Sequence, residues 1–173
     1  MEQCQQTPTL NMLQHGQAVH DEYIKLIQEL DAGTIKHPEL CKLYERYKHT
    51  LPPIELLKKY HVYHDCGKHL CLCIDENGRR HYPNHAAESA TQFSKIFPDE
   101  CFITKLISMD MDFHTLKGDD LLHLCKSPFA PILYFTAWAE INANAIAFGG
   151  IDSESYKIKR SRLIQAGKKL LNN

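Results

Sequence analysis

An all-helical domain carrying one small β-hairpin is the fold this sequence predicts, and three observations predict it. Apolar residues recur at three- and four-residue spacing in segment after segment, as they do in helices with one buried face. Pro52-Pro53, Pro98-Asp99, Pro128 and Gly149-Gly150 separate those segments, each a signal that stops a helix. Only Asp75-Glu76-Asn77-Gly78 carries a strong hairpin turn signal. At 173 residues, 43% of them hydrophobic, the chain is long enough for one core and short for two, so residues 1–173 read as a single domain.

The elements follow in order. Thr9 can cap a first helix from about Leu10 to Leu30, with Leu13, Val19, Ile24, Leu26, Ile27 and Leu30 as its apolar positions and Asp31-Ala32-Gly33 as its end. His15 and Val19, four apart, share a face, which puts His15 at the rim of the core; His20 reads as an ordinary core or surface histidine. A second helix covers Pro38 to Lys48 and a third Ile54 to Tyr63. Leu70–Ile74 and Arg79–Tyr82 then pair around Asn77-Gly78. Asn84 can cap a helix from His85 to Phe97. From Asp99 a further helix runs through Ile103, Leu106 and Ile107 into Met109-Asp110-Met111-Asp112-Phe113-His114. Within one helix Asp110 and His114 share a face while Asp112 points away. Asp119 and Asp120 precede a short helix, Leu121 to Lys126. The most apolar helix runs from Ile132 to Phe148, and a last one, capped by Ser153 or Ser155, reaches Asn172.

Bulk properties narrow the function. A net charge of -1 excludes a general attraction to nucleic acid, so any such binding needs a local patch. Seven cysteines without a CxxC pair argue against a disulfide framework and against a structural zinc knuckle; a reduced, cytoplasmic protein is expected. Met1–Thr9 is polar and lacks a leader pattern, and the apolar stretch Ala130–Phe148 is interrupted by Glu140, Asn142 and Asn144, so no membrane association is expected. No feature sets an oligomeric state. Eleven histidines are the compositional hint of a metal site.

Chemistry concentrates at Tyr63-His64-Asp65-Cys66-Gly67-Lys68. Adjacent imidazole and carboxylate suit a divalent ion, Gly67 permits close approach of a ligand to the backbone, and the Lys68 ammonium suits a phosphoryl oxygen. His15 lies upstream; His81 and His85 follow; Asp110, Asp112 and His114 come later. Glu140, amid Trp138, Ile141 and Ile146, is costly to bury alone, so it ligates a cation, pairs with a positive group of the chain, or faces a wet cavity.

The segment from Tyr63 to Lys68 resembles the HD superfamily of metal-dependent phosphohydrolases, in which a His-Asp doublet is commonly followed by x-Gly-Lys. His15-Gly16-Gln17-Ala18-Val19 is similar to that family's first-histidine helix, and His85 with Ser89-Ala90 to its third-histidine element; the likeness extends from about residue 12 to about residue 145. It implies an HD-type helical bundle around a divalent ion (Mn, Co, Ni, Mg, Fe or Zn). By the same likeness His15, His64 and Asp65 ligate the metal, with Glu140 or Asp110 completing the set. Asp65, Lys68 and His85 then take the catalytic roles. Two departures stand out: Asp110 lies where many members carry histidine, and the late helix offers Glu140 in place of the family's final aspartate.

The implied activity is hydrolysis of a nucleotide or polynucleotide-end phosphate, a 2',3'-cyclic phosphate included, with a phosphorylated small molecule or nucleic-acid end as partner. Lys68, Arg79, Arg80 and Asn144 are the candidate substrate contacts. Arg79 and Arg80 read equally as a solvated edge. Lys157, Lys159, Arg160, Arg162, Lys168 and Lys169 form either a solvated helix face or a phosphate-binding surface. The alternative from another class is an HD-fold nucleotide- or metal-binding module that has lost catalysis.

Overall fold

The computed structural model describes residues 10–173 and is all-helical apart from one two-stranded hairpin. The expected cap at Thr9 falls outside the described residues. Helix α1 (Met12–Asp31) starts instead behind Asn11, whose side chain accepts from the Gln14 N–H while the Gln14 side chain returns a bond to the Asn11 N–H. Helices α2 (Pro38–Tyr47) and α3 (Ile54–Tyr63) lie where the prolines place them. After α3 come a 3-10 turn (Lys68–Cys71), strands β1 (Cys73–Ile74) and β2 (Arg80–His81), and α4 (His85–Ile96). The chain ends with α5 (Cys101–Ser108), α6 (Asp112–Thr115), α7 (Gly118–Cys125), α8 (Ala130–Ala143) and α9 (Glu154–Leu171).

Helix α8 is the hub. Its residues are buried on every side from Ala130 to Ala139, which is why its sequence shows no polar face. Helix α1 packs along α8 through Val19, Tyr23, Leu26, Ile27 and Leu30, while α3 packs on α1. Gly16 makes that second contact possible: a Cβ there would lie 2.5 Å from the Val62 carbonyl oxygen and 2.8 Å from that of His61. Backbone meets backbone one residue from His15 and two from His64. Helix α9 packs on α8 at Gly167, where a Cβ would meet the Tyr134 hydroxyl.

Several boundaries differ from expectation. The hairpin is shorter than Leu70–Ile74 against Arg79–Tyr82, because Leu70 and Cys71 belong to the 3-10 turn; only Cys73 with His81 and Ile74 with Arg80 are in register. The Gly78 N–H bonds the Asp75 carbonyl, and Asp75 Oδ1 accepts from the N–H groups of Asn77 and Arg79. Gly78 alone in this turn takes a positive φ, so the turn is an ordinary one closed by glycine rather than a two-residue Asn-Gly turn. Asn84 does not cap α4 through its side chain. It takes the left-handed conformation (φ 56), which asparagine tolerates, and so turns His85 back towards the carbonyl of Tyr82.

The single helix expected from Asp99 to His114 breaks at Met109–Met111 into α5 and α6. Helix α7 begins three residues early, which puts Asp119 and Asp120 in its first turn, where the helix dipole favours acids. Helix α8 stops at Ala143, short of Phe148: the chain turns from Asn144 onward, and the positive-φ Gly150 returns its N–H to the Ala145 carbonyl. Ser153, not Ser155, caps α9 by accepting from the Tyr156 N–H. No helix of the described residues is long and apolar enough to cross a membrane, and the cysteines among them are free thiols.

Candidate metal centre

The site is built where α3 ends against α1. A helix leaves its last carbonyls without partners, and His64, the C-cap of α3, satisfies one of them: its Nδ1 donates to the His61 carbonyl at 2.7 Å. That bond fixes the ring and leaves Nε2 as the atom with a free lone pair. Nε2 lies 3.5 Å from Asp65 Oδ2 and has no hydrogen-bond partner. From α1, His15 brings its Nε2 to 3.9 Å from the same carboxylate oxygen. His15 is wholly buried, yet neither of its ring nitrogens makes a hydrogen bond.

One ligand atom from each of His15, His64 and Asp65 lies within 4.8 Å of the others, and all three residues are buried. Two imidazole nitrogens and a carboxylate oxygen converging in this way could hold a metal ion. The orphaned nitrogens are the fit test. Each buried polar atom left unmatched costs about 1–3 kcal/mol, and a cation between the three groups would take one nitrogen of each imidazole and one oxygen of Asp65.

Around the three ligands stands a ring of charge. Lys68 Nζ donates to Asp65 Oδ2 at 2.8 Å, and its ammonium lies 5.3 Å from the centre of the Tyr82 ring. On α4, His85 is held through Nδ1 by the Tyr82 carbonyl and places Nε2 3.4 Å from Asp65 Oδ1. Ser89, four residues on and therefore on the same face, ties the motif down: its hydroxyl accepts the Gly67 N–H, and its carbonyl accepts the Cys66 thiol. A Cβ on Gly67 would lie 2.6 Å from the Ser89 nitrogen. The expectation that Gly67 admits a ligand is thereby corrected, since its bare Cα admits the backbone of α4.

The break between α5 and α6 swings Asp110 inward. It is buried, accepts from the Tyr60 hydroxyl at 2.7 Å through Oδ1, and has no hydrogen bond at Oδ2. Glu140, from α8, accepts from His114 Nε2 at 2.8 Å. Of the readings open for Glu140, pairing with a positive group of the chain is the one observed. Neither Asp110 nor Glu140 belongs to the 4.8 Å group; both lie behind it and act on it by charge.

The electrostatics follow. Burial, helped by His64, drives the pKa of His15 down to about 4, so the ring is neutral at neutral pH, with one nitrogen protonated and the other able to ligate. Burial also opposes charge on His64, but the carboxylates of Asp65, Asp110 and Glu140 outweigh it and raise its pKa. Burial would raise Asp65 too, yet His64, Lys68 and His85 hold it below the usual carboxylate range. Asp110 is raised by burial, whereas Glu140 is held low against burial by His114.

The other candidates lie apart from the His15–His64–Asp65 group. Arg79 and Arg80 are exposed on the hairpin, and no contact among the described residues joins them to the cluster. Asn144, one turn beyond Glu140, is the C-cap of α8. His81 bonds Asp75 on the hairpin. Asp112 is half-buried at the start of α6. The basic residues of α9 do not share one face: Lys159 lies over the Phe148 ring, Lys168 pairs with Glu39, and Arg160 and Arg162 line different cavities.

Tyr60 and His61 are neighbours that the sequence reading missed. Tyr60 reaches Asp110 across 50 positions, as His114, noted for its spacing from Asp110, reaches Glu140 across 26. His61 bonds Thr136 through Nε2 and His20 through Nδ1, which makes His20 part of a buried histidine pair on α1 and α3. Comparisons with protein-family models, curated proteins and solved structures gave no match.

Proposed function

We propose that this chain is a metal-dependent phosphoester hydrolase of the HD type, with His15, His64 and Asp65 as its metal ligands. The observation that supports it is the convergence of orphaned, fully buried imidazole nitrogens on the carboxylate of a His-Asp-x-Gly-Lys sequence. A bound divalent cation supplies Lewis-acid charge to a phosphoryl oxygen and lowers the pKa of a water molecule. The chain's own groups do the rest. Asp65, kept ionised by its neighbours, orients the attacking water through whichever oxygen lone pair the cation leaves free. Lys68, whose raised pKa keeps it an ammonium, neutralises charge on the phosphoryl group. His85, with Nδ1 committed to Tyr82, has only Nε2 to exchange a proton with the leaving oxygen. Burial of His15, His64 and Asp65 limits the screening of these charges by bulk water.

The substrate class we assign is a nucleotide phosphoester. A polynucleotide end belongs to the same class, but the dispersal of the α9 cations gives less support to a surface that tracks a strand. The second reading is a binding module of the same fold without catalysis. It is favoured by one feature: Lys68 already holds Asp65, and His114 already holds Glu140, so both acids are engaged.

The deciding experiment is metal analysis together with hydrolysis of bis-p-nitrophenyl phosphate across Mn, Co, Ni, Mg, Fe and Zn. Hydrolysis with one bound ion or more, lost together with that metal in His64→Ala and Asp65→Ala, is the expected result. Stoichiometric metal without turnover on this ester or on a panel of nucleotides would leave the binding module. Wild-type turnover in either variant with metal retained would remove the doublet from the centre.

A further inference from the structure

A second groove lies between α6, α7 and α9, beside the His15–His64–Asp65 group but lined by other residues. A groove of about 480 Å³ opens there, a volume that suits one small molecule rather than a polymer. Its floor is apolar, from Phe113, Leu121 and Ile158, and Ile158 is 45% exposed on an otherwise polar stretch of α9. Lys117, Lys157, Arg162 and Lys169 stand around that floor, with Glu154 as the one acid. None of the four cations has a carboxylate within ion-pair distance among the described residues, whereas Lys168, between them on the helix, is paired with Glu39. His15, His64 and Asp65 do not line the groove, and His114 is the wall it shares with the Glu140 side of the metal centre.

We infer that this groove binds an aromatic phosphate of mononucleotide size, its ring on the apolar floor and its phosphate between the Lys157 and Arg162 side chains. Apolar floor and cationic rim each exclude half of the alternatives. Inorganic phosphate has nothing to place on Phe113, Leu121 and Ile158, and a neutral aromatic leaves the cations without partners. The site goes beyond the hydrolytic reading and stands or falls apart from it, because metal ligation is not required to form it.

The test uses the full chain, metal-free, with anilinonaphthalene sulfonate as a fluorescent aromatic anion and with adenosine monophosphate, adenosine and inorganic phosphate as competitors. We expect saturable one-to-one dye binding that adenosine monophosphate displaces at concentrations where adenosine and phosphate do not. Lys157→Glu with Arg162→Glu should weaken displacement by roughly tenfold or more. The matched charge change Lys42→Glu with Lys95→Glu, on exposed helical positions elsewhere, should leave it unaltered. Ser161→Trp, which fills the groove and keeps its charge, should block both ligands; Ser161 is exposed, so folding tolerates the change. His64→Ala should bind like wild type, which separates this site from the metal centre. Equal affinity in wild type, the Lys157/Arg162 pair and Ser161→Trp would overturn the assignment, as would displacement by adenosine as effective as by its monophosphate.

Discussion

Replacing His15 by leucine should make the metal-free protein more stable and deprive it of its response to metal. The imidazole lies wholly inside the structure with both ring nitrogens unbonded, so the metal-free fold carries two unmatched polar atoms at this position. At about 1 kcal/mol for each, near the low end for an unsatisfied buried group, His15→Leu gains about 2 kcal/mol. Asp65 keeps Lys68 as its partner, so the substitution strands no charge. For a chain of this length about 1 kcal/mol moves Tm by roughly 2–4 °C, which gives an expected rise of about 4–8 °C in chelator-treated protein. Wild type should gain in the opposite condition. A divalent ion at one hundred times its Kd stabilises by about 2.7 kcal/mol, or roughly 5–11 °C, and His15→Leu should show little of that shift. Thermal melts of both proteins, with chelator and with each metal, measure the two effects together. A lower Tm for chelator-treated His15→Leu would mean that the His15 nitrogens are not orphaned; an undiminished metal shift would mean that His15 is not a ligand.

Three further outcomes follow from the same geometry. The pKa of His15 falls from 6.5 to about 4 on folding, so between those values the unfolded chain binds more protons than the folded one. Stability of metal-free wild type should therefore fall relative to His15→Leu as pH drops from 6.5 to 4, by about 3 kcal/mol at completion, read from urea unfolding at several pH values. Lys68→Ala should retain its metal by elemental analysis while kcat/KM falls roughly 10–100-fold, because its amine meets Asp65 and the phosphoryl group rather than the cation; loss of metal in that variant would reassign Lys68 to holding Asp65. Gly16→Ala should cost about 1–3 kcal/mol and weaken metal binding as well, since the new methyl lies on the backbone of Val62 and pushes α1, with His15, away from His64. Chemical denaturation and metal titration check the pair, and a stability loss with unchanged metal affinity would show that the two helices yield elsewhere.

Local rules account for what could be read from the chain alone. Proline and glycine breaks and three-to-four-residue apolar spacing located most of the helices, because those signals act within a few residues of where they are written. The same locality made His64-Asp65-x-Gly67-Lys68 legible: a helix end that delivers an imidazole, a carboxylate and an ammonium needs no distant partner to be noticed. Spacing against Val19 put His15 at the rim of the core, while site roles for His15 and His85 came only from the likeness to HD proteins. Boundaries set by non-local contact were not. The hairpin lost Leu70 and Cys71 to a 3-10 turn, and α5 broke before Asp110, which the Tyr60 hydroxyl now holds.

Which acid serves which purpose was decided by tertiary structure. The sequence leaves Glu140 and Asp110 both open to complete the set and turns Asp112 away, and only packing pairs Glu140 with His114 and Asp110 with Tyr60 and leaves Asp112 half-buried at the start of α6. Gly67 turned from a ligand's approach into the seat of Ser89, and the basic residues of α9 divided, Lys157, Arg162 and Lys169 around one groove, Lys159 over Phe148 and Lys168 on Glu39. The physical reason is common to all of these. A side chain's type is a property of one position, but its charge state and partner depend on what other segments bring within a few ångströms, and in the low dielectric of a buried site those neighbours dominate.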